Sequence, residues 1–419
     1  MKSYKILISN AWLTSYGGTE SVVRDLSVGL LRRGHRPIVY SPVVGISGEA
    51  ISRLGIPVID DLRLLAEAPD IIHGHHFIQA AEAMLRFPET PALYVCHAWD
   101  FWVERPPKFP QIRLYGGVSE AVRDRLVHTE GIAPDNVAVF PNCVDLLRVP
   151  TRVNPLNGRL RKAVCFSEKG SHVPVIRAAC EHLGISLDLL GGCGDRYVEY
   201  PERELVDYDL VFATGKSALE ALYSGAAVVV CDNRGYAGPV TNANFDRFRN
   251  LNFALRLLVN RVSKQMIVDD LLRYDLPDAV SVAERARREC SMETQLDGFL
   301  AVYSDIIQGW PDARAKMSEE QLRTAIFDFL QEALPRKPLD GRWPWIAERD
   351  ALISRVNGLE AETARLREIE ADLAGKLDAE RASEVERIRH LEHELQALRQ
   401  SVSWRVTWPL RKLKELTRI

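Results

Sequence analysis

Through residues 1–310 the chain alternates short apolar runs with amphipathic stretches, and this rhythm limits the fold more than any motif does. "YKILISN", "RPIVYSP", "IPVID", "PDIIHGHH", "PALYVCHAW", "LYGGVS" and "NVAVFPN" read as strands. Between them "GGTESVVRDLSVGLLRRGH", "GEAISRLG", "FIQAAEAMLRF" and "EAVRDRLVHTEG" carry helical spacing. Continuous apolar strands separated by crossover helices predict a doubly wound parallel sheet, covered on both faces. "PNCVDLLRVPTRVNPLNGRLR" then breaks the rhythm with Pro, Asn and Gly, and reads as a linker between domains. A second series follows: "KAVCFS", "VPVIRAACEHLG", "ISLDLLGG", "YDLVFA", "KSALEALYSG" and "AAVVVCD". Helical patterns at "NFALRLLVNRVS" and "VSVAERARRECSMETQLDGFLAVYSDIIQG" close the globular part. The fold class expected is α/β: two Rossmann-like domains, residues 1–150 and 151–310, facing a cleft, with the last helix able to pack back on the first domain.

The character then changes. Residues 311–345 read as a linker, and 346–400 are dense in Glu, Arg, Leu and Ala. Leu352, Val356, Leu359, Leu366, Leu373 and Leu377 form one apolar series. Ile388, Leu391, Leu395, Leu398 and Val402 form another at alternating three and four spacing, after an interruption at 378–387. That pattern predicts a coiled coil joining copies of the chain or docking a partner protein. Residues 401–419 mix Trp404, Trp408, Leu410, Leu413 and Leu416 with Arg405, Arg411, Lys412, Lys414 and Arg418. A basic, Trp-bearing amphipathic end suits peripheral contact with a membrane surface, or packing against a partner.

A net charge of −3 gives no general reason to expect a nucleic-acid partner. Cys96, Cys143, Cys165, Cys180, Cys193, Cys231 and Cys290 are scattered with no C-x-x-C pair, the pattern of reduced thiols. The opening "MKSYKILISNAW" reads as a strand start rather than a signal peptide. No run reaches the roughly 20 apolar residues of a membrane span. The expected location is the cytoplasm, with the tail at the inner face of the membrane.

"LVFATGKSALEALYSG" contains G-K-S, yet Leu210 stands where a phosphate-binding P-loop needs its first glycine. The local order of strand, Thr-Gly turn and helix still aims backbone N–H groups and the positive helix end at one point. Thr214, Gly215, Lys216 and Ser217 are therefore candidates to hold a phosphate. In the first half Gly17–Gly18 precede a helix, His97 and Asp100 follow a strand, and Glu20 lies one turn into the first helix. His73 and His75 share one strand face and His76 points away, with no carboxylate or Cys at ligand spacing, so no metal is expected there.

The "GGTESVVRDLSVGLLRRGH" opening, "PDIIHGHH", "HAWDF", "GVSEAVRDRLV…GIAPDNVAVFPNCVD" and "ALEALYSGAAVVV" together resemble the family 4 glycosyltransferases of the two-domain GT-B fold over residues 1–310. The coiled coil lies outside that resemblance, and "SVSWRVTWPLR" resembles tails attached to bacterial surface-polysaccharide enzymes. The resemblance implies a retaining, metal-independent transfer of sugar from a nucleotide-sugar donor to a glycan or lipid-linked acceptor. The nucleotide sugar would be a substrate, and no cofactor is expected. It makes Glu220 the carboxylate on the donor ribose and His97 a contact to the donor sugar, the two catalytic candidates. Gly17, Gly18, Thr214, Gly215, Lys216 and Ser217 would join Glu220 around the donor, with Glu20 and Asp100 on the acceptor side. The chain departs from the family in three places. Phe212 stands where a first glutamate is usual, "CFSEKGSH" offers Lys169–Gly170 without the family's arginine, and Cys143 replaces a glycine in "PNCVD". Those departures keep two alternatives open: a non-catalytic scaffold of the same fold, and a nucleotide-sugar 2-epimerase.

Overall fold

The structure is a computed structural model that describes every residue except 1, 16, 100, 146, 154, 155, 157, 158, 168, 195–197, 199, 335–343, 401–406 and 408–419; between 341 and 378 many side chains are also outside the description. The candidate Asp100 and the basic tail thus lie outside the described residues. Residues Met1–Ala333 form one compact unit and Leu334–Ile419 a second.

The first unit is built on two sheets. Seven parallel strands run β1 (Lys5–Ser9), β2 (Arg36–Tyr40), β3 (Val58–Ile59), β4 (Ile71–Gly74), β5 (Ala92–Cys96), β6 (Ile112–Gly117) and β7 (Val137–Val139). Their order is β3-β2-β1-β4-β5-β6-β7. The helices among them are α1 (Gly18–Arg32), α2 (Ile46–Arg53), α3 (Phe77–Arg86) and α4 (Glu120–Asp124), which runs on into a π-helical turn at Arg125–Thr129. The second sheet holds β8 (Lys162–Phe166), β9 (Ser186–Leu190), β10 (Leu210–Ala213), β11 (Ala227–Asp232) and β12 (Gly235–Pro239), ordered β12-β11-β10-β8-β9. Around it lie α5 (Val173–Leu183), α6 (Pro201–Glu204), α7 (Gly215–Ser224), α8 (Phe245–Asn250), α9 (Lys264–Leu272) and α10 (Leu276–Glu289). The order reverses at β1/β4 in one sheet and at β10/β8 in the other, so each sheet has a crevice at its carboxyl edge.

One strand is not foreseen from the sequence, and two local expectations need correction. The edge strand β12 pairs antiparallel with β11 and reads "GYAGP", which has no apolar run to signal it. "NFALRLLVNRVS" is not a helix: Asn252 and Phe253 turn through positive φ of 53° and 50°, and only Leu255–Leu257 makes a short 3-10 turn. The last long helical pattern is two helices, α10 and α11 (Met292–Ala315), divided at Ser291, whose hydroxyl caps the Thr294 N–H.

Ser291 marks the second passage of the chain between the sheets. Val144, on the first passage, donates its N–H to Cys290 O at 2.9 Å and accepts from Met292 N at 2.9 Å, so the two passages pair as parallel strands. Beyond it α11 lies on the first domain, burying Met292, Leu296, Phe299, Tyr303 and Ile306 in that domain's core. Burial of each such side chain contributes roughly 1.5–3 kcal/mol. The expected linker at 311–345 begins differently: α11 continues to Ala315, and α12 (Glu319–Ala333) packs Phe329 against Phe77 and Phe109 at ring-centroid distances of 5.2 and 5.8 Å. Apolar Leu322, Ile326 and Phe329 recur at helical spacing, which tertiary burial uses.

The second unit contains α13 (Pro344–Gln400), a 57-residue helix. Among the described residues no helix is long and apolar enough to cross a membrane.

Candidate active site

The site is assembled where strands end and helices begin. β10 runs into α7 through Thr214, and Gly215 takes φ of +61°, a conformation that favours glycine. Gly225 at φ +97° stops the helix. The Gly215 N–H, expected to face a phosphate, instead donates to Phe253 O at 3.0 Å. The turn at Asn252–Phe253, with Phe253 buried, thus caps one donor of the helix start. Thr214 Oγ1 lies 3.3 Å from Asp232 Oδ2, and Asp232 also holds the Arg234 guanidinium. Ser217 is half-buried on the first turn of α7.

Lys216 and Glu220 are one turn apart and share a face of α7. Neither projects into open solvent. Lys216 Nζ donates to Asp25 Oδ2 of α1 at 2.7 Å, joining the two domains. Arg148 is between them: Nε donates to Asp25 Oδ1 at 2.8 Å, one Nη reaches Asp25 Oδ2 at 3.1 Å, and the guanidinium also pairs with Glu220 and, at 3.2 Å, with Glu202. All five side chains are buried. Burial would push the Asp25 carboxyl up, but Lys216 and Arg148 outweigh it and hold it near about 2. Burial likewise works against the Arg148 cation, and Glu220, Asp25 and Glu202 reverse that, driving its pKa well above the ordinary value. Burial raises Glu202, and Glu220 adds to the shift.

The first-domain wall is polar and tightly packed. A Cβ on Gly17 would collide with the Glu20 carboxylate, whereas Gly18 has open space around it. The opening expected for a ligand beside Gly17 is therefore filled by Glu20. Burial raises the Glu20 pKa, opposed by its own backbone N–H, by His76 and by the Trp12 indole. His76 holds φ of 63° at the start of α3, a rare state for a non-glycine residue. Its Nδ1 accepts from Ala11 N at 2.9 Å, its ring stacks on Trp12 at 5.5 Å, and its Nε2 lies 3.5 Å from Glu104 Oε1. Glu104 also accepts the His97 N–H at 2.7 Å. His97 Nε2 is 2.8 Å from His75 Nδ1, the His75 and His73 rings are 4.6 Å apart, and His73 Nδ1 meets Tyr303 OH at 2.5 Å. Burial lowers all three histidines, His97 to about 4 and His73 to about 3, so at neutral pH they form an uncharged chain leading inward from the cleft. Among the described residues no group of three His, Cys, Asp or Glu is set to hold a metal, and all seven cysteines are free thiols.

Two further contacts cross between the domains. Arg256 pairs with Asp124 at 2.6 Å while lying over the Trp99 ring, and Asn142 Nδ2 donates to Asn252 Oδ1 at 3.0 Å. Sequence reasoning named His97, Glu20, Lys216 and Glu220 but missed Asp25, Arg148, Glu202 and Glu104. The only signal was the i, i+4 spacing of Lys216 and Glu220, which puts both on one face. Phe212 is wholly buried in the middle of β10, so it supplies no substitute for the glutamate of the resembling family.

Residues 16–148 match Glycosyltransferase Family 4. Among solved structures, a glycosyltransferase from Rickettsia africae matches at a TM-score of 0.52 and 15% identity, covering 73% of this chain and 99% of its own. HepE of Anabaena, solved in complex with UDP and glucose, matches at a TM-score of 0.50 and 15% identity, covering 72% and 100%. No curated protein sequence matches the chain. The seven-stranded domain with its returning helix, the facing five-stranded sheet and these matches agree: the chain carries a Glycosyltransferase Family 4 domain on a GT-B fold, a transferase by class.

Proposed function

We propose that this protein transfers a sugar, with retention and without a metal, from a nucleotide diphosphate to a glycan or lipid-linked acceptor in bacterial cell-surface polysaccharide synthesis. The observation that carries the reading is the meeting of α7 with α1: Lys216 binds Asp25 directly and Glu220 joins it through Arg148, just beyond the Thr214–Gly215 turn that ends β10. Charge develops on the leaving diphosphate in such a reaction, and a helix start with a lysine stabilises it. The diphosphate takes Lys216 from Asp25, and Glu220 accepts the ribose hydroxyls once Arg148 turns to Asp25 and Glu202. Neutral His97, its Nε2 held by His75, offers its Nδ1 to one sugar hydroxyl. The HepE complex with UDP and glucose supports a uridine nucleotide as the first donor to try. The long helix α13 assembles copies of the chain, and the basic tail beyond it holds them at the cytoplasmic face of the membrane.

A second reading has its own support. Lys216, Glu220 and the Gly215 N–H are all engaged internally, and Phe212 is core, as expected of a scaffold that has lost catalysis. A thermal-shift panel of UDP-, GDP-, ADP-, dTDP- and CMP-sugars, with Lys216→Met and Glu220→Gln beside the parent, separates the two. A ligand at 100 times its Kd adds about 2.7 kcal/mol. A shift with one nucleotide class, lost in both variants, supports the donor site. No shift with any nucleotide sugar overturns it in favour of the scaffold. Epimerised nucleotide sugar formed without acceptor would replace transfer by epimerisation.

A further inference from the structure

Ile388, Leu391 and Leu395 occupy one face of α13 at three- and four-residue spacing and are 50, 53 and 48% exposed, although isoleucine and leucine belong in a core. Leu398 and, before the interruption, Leu373 and Leu377 continue the apolar positions. Leu377 and Ile388 are eleven residues apart, the offset left by a four-residue insertion in a heptad, so the seam keeps facing one way through 378–387.

The charges flanking this seam select the partner. With Ile388 and Leu395 at a and Leu391 at d, Arg387 and Glu394 fall at g, and Glu392 and Arg399 at e. In a parallel, in-register pair each g residue faces the e residue five positions on in the other strand. Arg387 then meets Glu392 of the second copy, and Glu394 meets Arg399, so each of the four flanking pairs is attractive. In the antiparallel arrangement that overlaps the whole seam, Ile388 opposes Leu398. Glu392 then lies beside Glu392 and Glu394 beside Glu394 of the other strand, which repel. Isoleucine at a followed by leucine at d is also the combination of two-stranded coils. Within one strand, Arg387 reaches Glu384 only at 3.8 Å, and His390 reaches Glu394 at 3.6 Å; all four are more than half exposed. Such pairs are weak and leave the charges available.

We infer that α13 is one half of a parallel, in-register, two-stranded coiled coil whose other half is a second copy of this chain. This rests on the coiled-coil assembly proposed above and fixes its strand number, direction and register. The test uses the full chain. Light scattering of the parent should give twice the 47.2 kDa chain mass. Leu391→Cys should cross-link to itself on mild oxidation, since a d residue faces its own copy. Arg387→Glu should weaken the dimer about tenfold by turning attractive pairs into repulsive ones, and Arg387→Glu with Glu392→Arg in one chain should restore it. A monomer at tens of micromolar would overturn the coiled-coil assembly itself. A dimer in which Leu391→Cys cross-links only to a Leu395→Cys partner would overturn the parallel direction alone, and a trimer the strand number alone.

Discussion

The Asp25 carboxylate is the sharpest place to perturb the molecule. It accepts from Lys216 at 2.7 Å and twice from Arg148, at 2.8 and 3.1 Å, with no exposed surface. Asp25→Asn keeps the shape and removes the charge, leaving the buried Lys216 cation without its carboxylate, while Arg148 keeps Glu220 and Glu202. The size of the effect has two independent measures. Displacement of the Asp25 pKa from 3.8 to about 2 corresponds to about 2 kcal/mol at 1.36 kcal/mol per unit. Removal of one member of a buried pair costs roughly 3–5 kcal/mol, because the remaining charge is uncompensated. Urea unfolding of the full chain, followed by tryptophan fluorescence, should therefore show Asp25→Asn destabilised by about 3 kcal/mol. Adding Lys216→Met should recover part of that loss, because the stranded lysine is gone, and the double-mutant cycle should be non-additive by at least about 1 kcal/mol. The parent should also carry a pH signature. The folded pKa of Asp25 is lower than the unfolded one, so its contribution is complete above pH 3.8 and disappears as the pH falls through about 2. A loss below about 0.5 kcal/mol for Asp25→Asn, the size of an ordinary surface change, would refute the idea that this cluster is a closed ionic contact.

Other outcomes follow from the same geometry. Tyr303→Phe leaves His73 Nδ1 buried without its partner and should cost about 1–3 kcal/mol, read as a lower urea midpoint. Gly17→Ala should displace the buried Glu20 carboxylate that folds back over Gly17 at the start of α1 and lower the melting temperature, while Gly18→Ala, with open space around it, should leave it nearly unchanged. Phe212→Glu, which would recreate the residue usual in the resembling family, should instead unfold the second domain, since it buries a carboxylate in mid-strand; a folded variant by circular dichroism would refute that placement.

Much of the fold was legible because parallel strands covered on both faces must be apolar throughout. "KILIS", "ALYVC" and "AVVVCD" have no other reading. Where the structure answers to tertiary demands the sequence misleads. "NFALRLL" has helical spacing, yet Phe253 is needed as a buried plug whose carbonyl caps α7, and that need overrides propensity. β12 has so little side-chain content that only its ladder to β11 defines it. The site was half visible. Glycines, histidines and the G-K-S turn announce themselves at strand ends, but the partners of Lys216 and Glu220 do not. Asp25 is 191 positions from Lys216, and Arg148 sits in a stretch that reads as linker. No local pattern records an ion pair made by folding.

The paired passages at Val144 and Ser291 have a mechanical meaning. Two chain crossings tied by hydrogen bonds of 2.9 Å cannot slide past each other without breaking the ladder, so the two sheets can separate only by swinging about that line, as a door does on its hinge pin. Residues close to the pin, Cys143 and Met292 among them with sulfurs 3.7 Å apart, would hardly move. The Asp25–Lys216 contact lies close to that same line, for Arg148, four positions beyond Val144, binds Asp25, and both charges act on the Cys143 thiol, so a ligand that broke it would loosen a clamp at the pin.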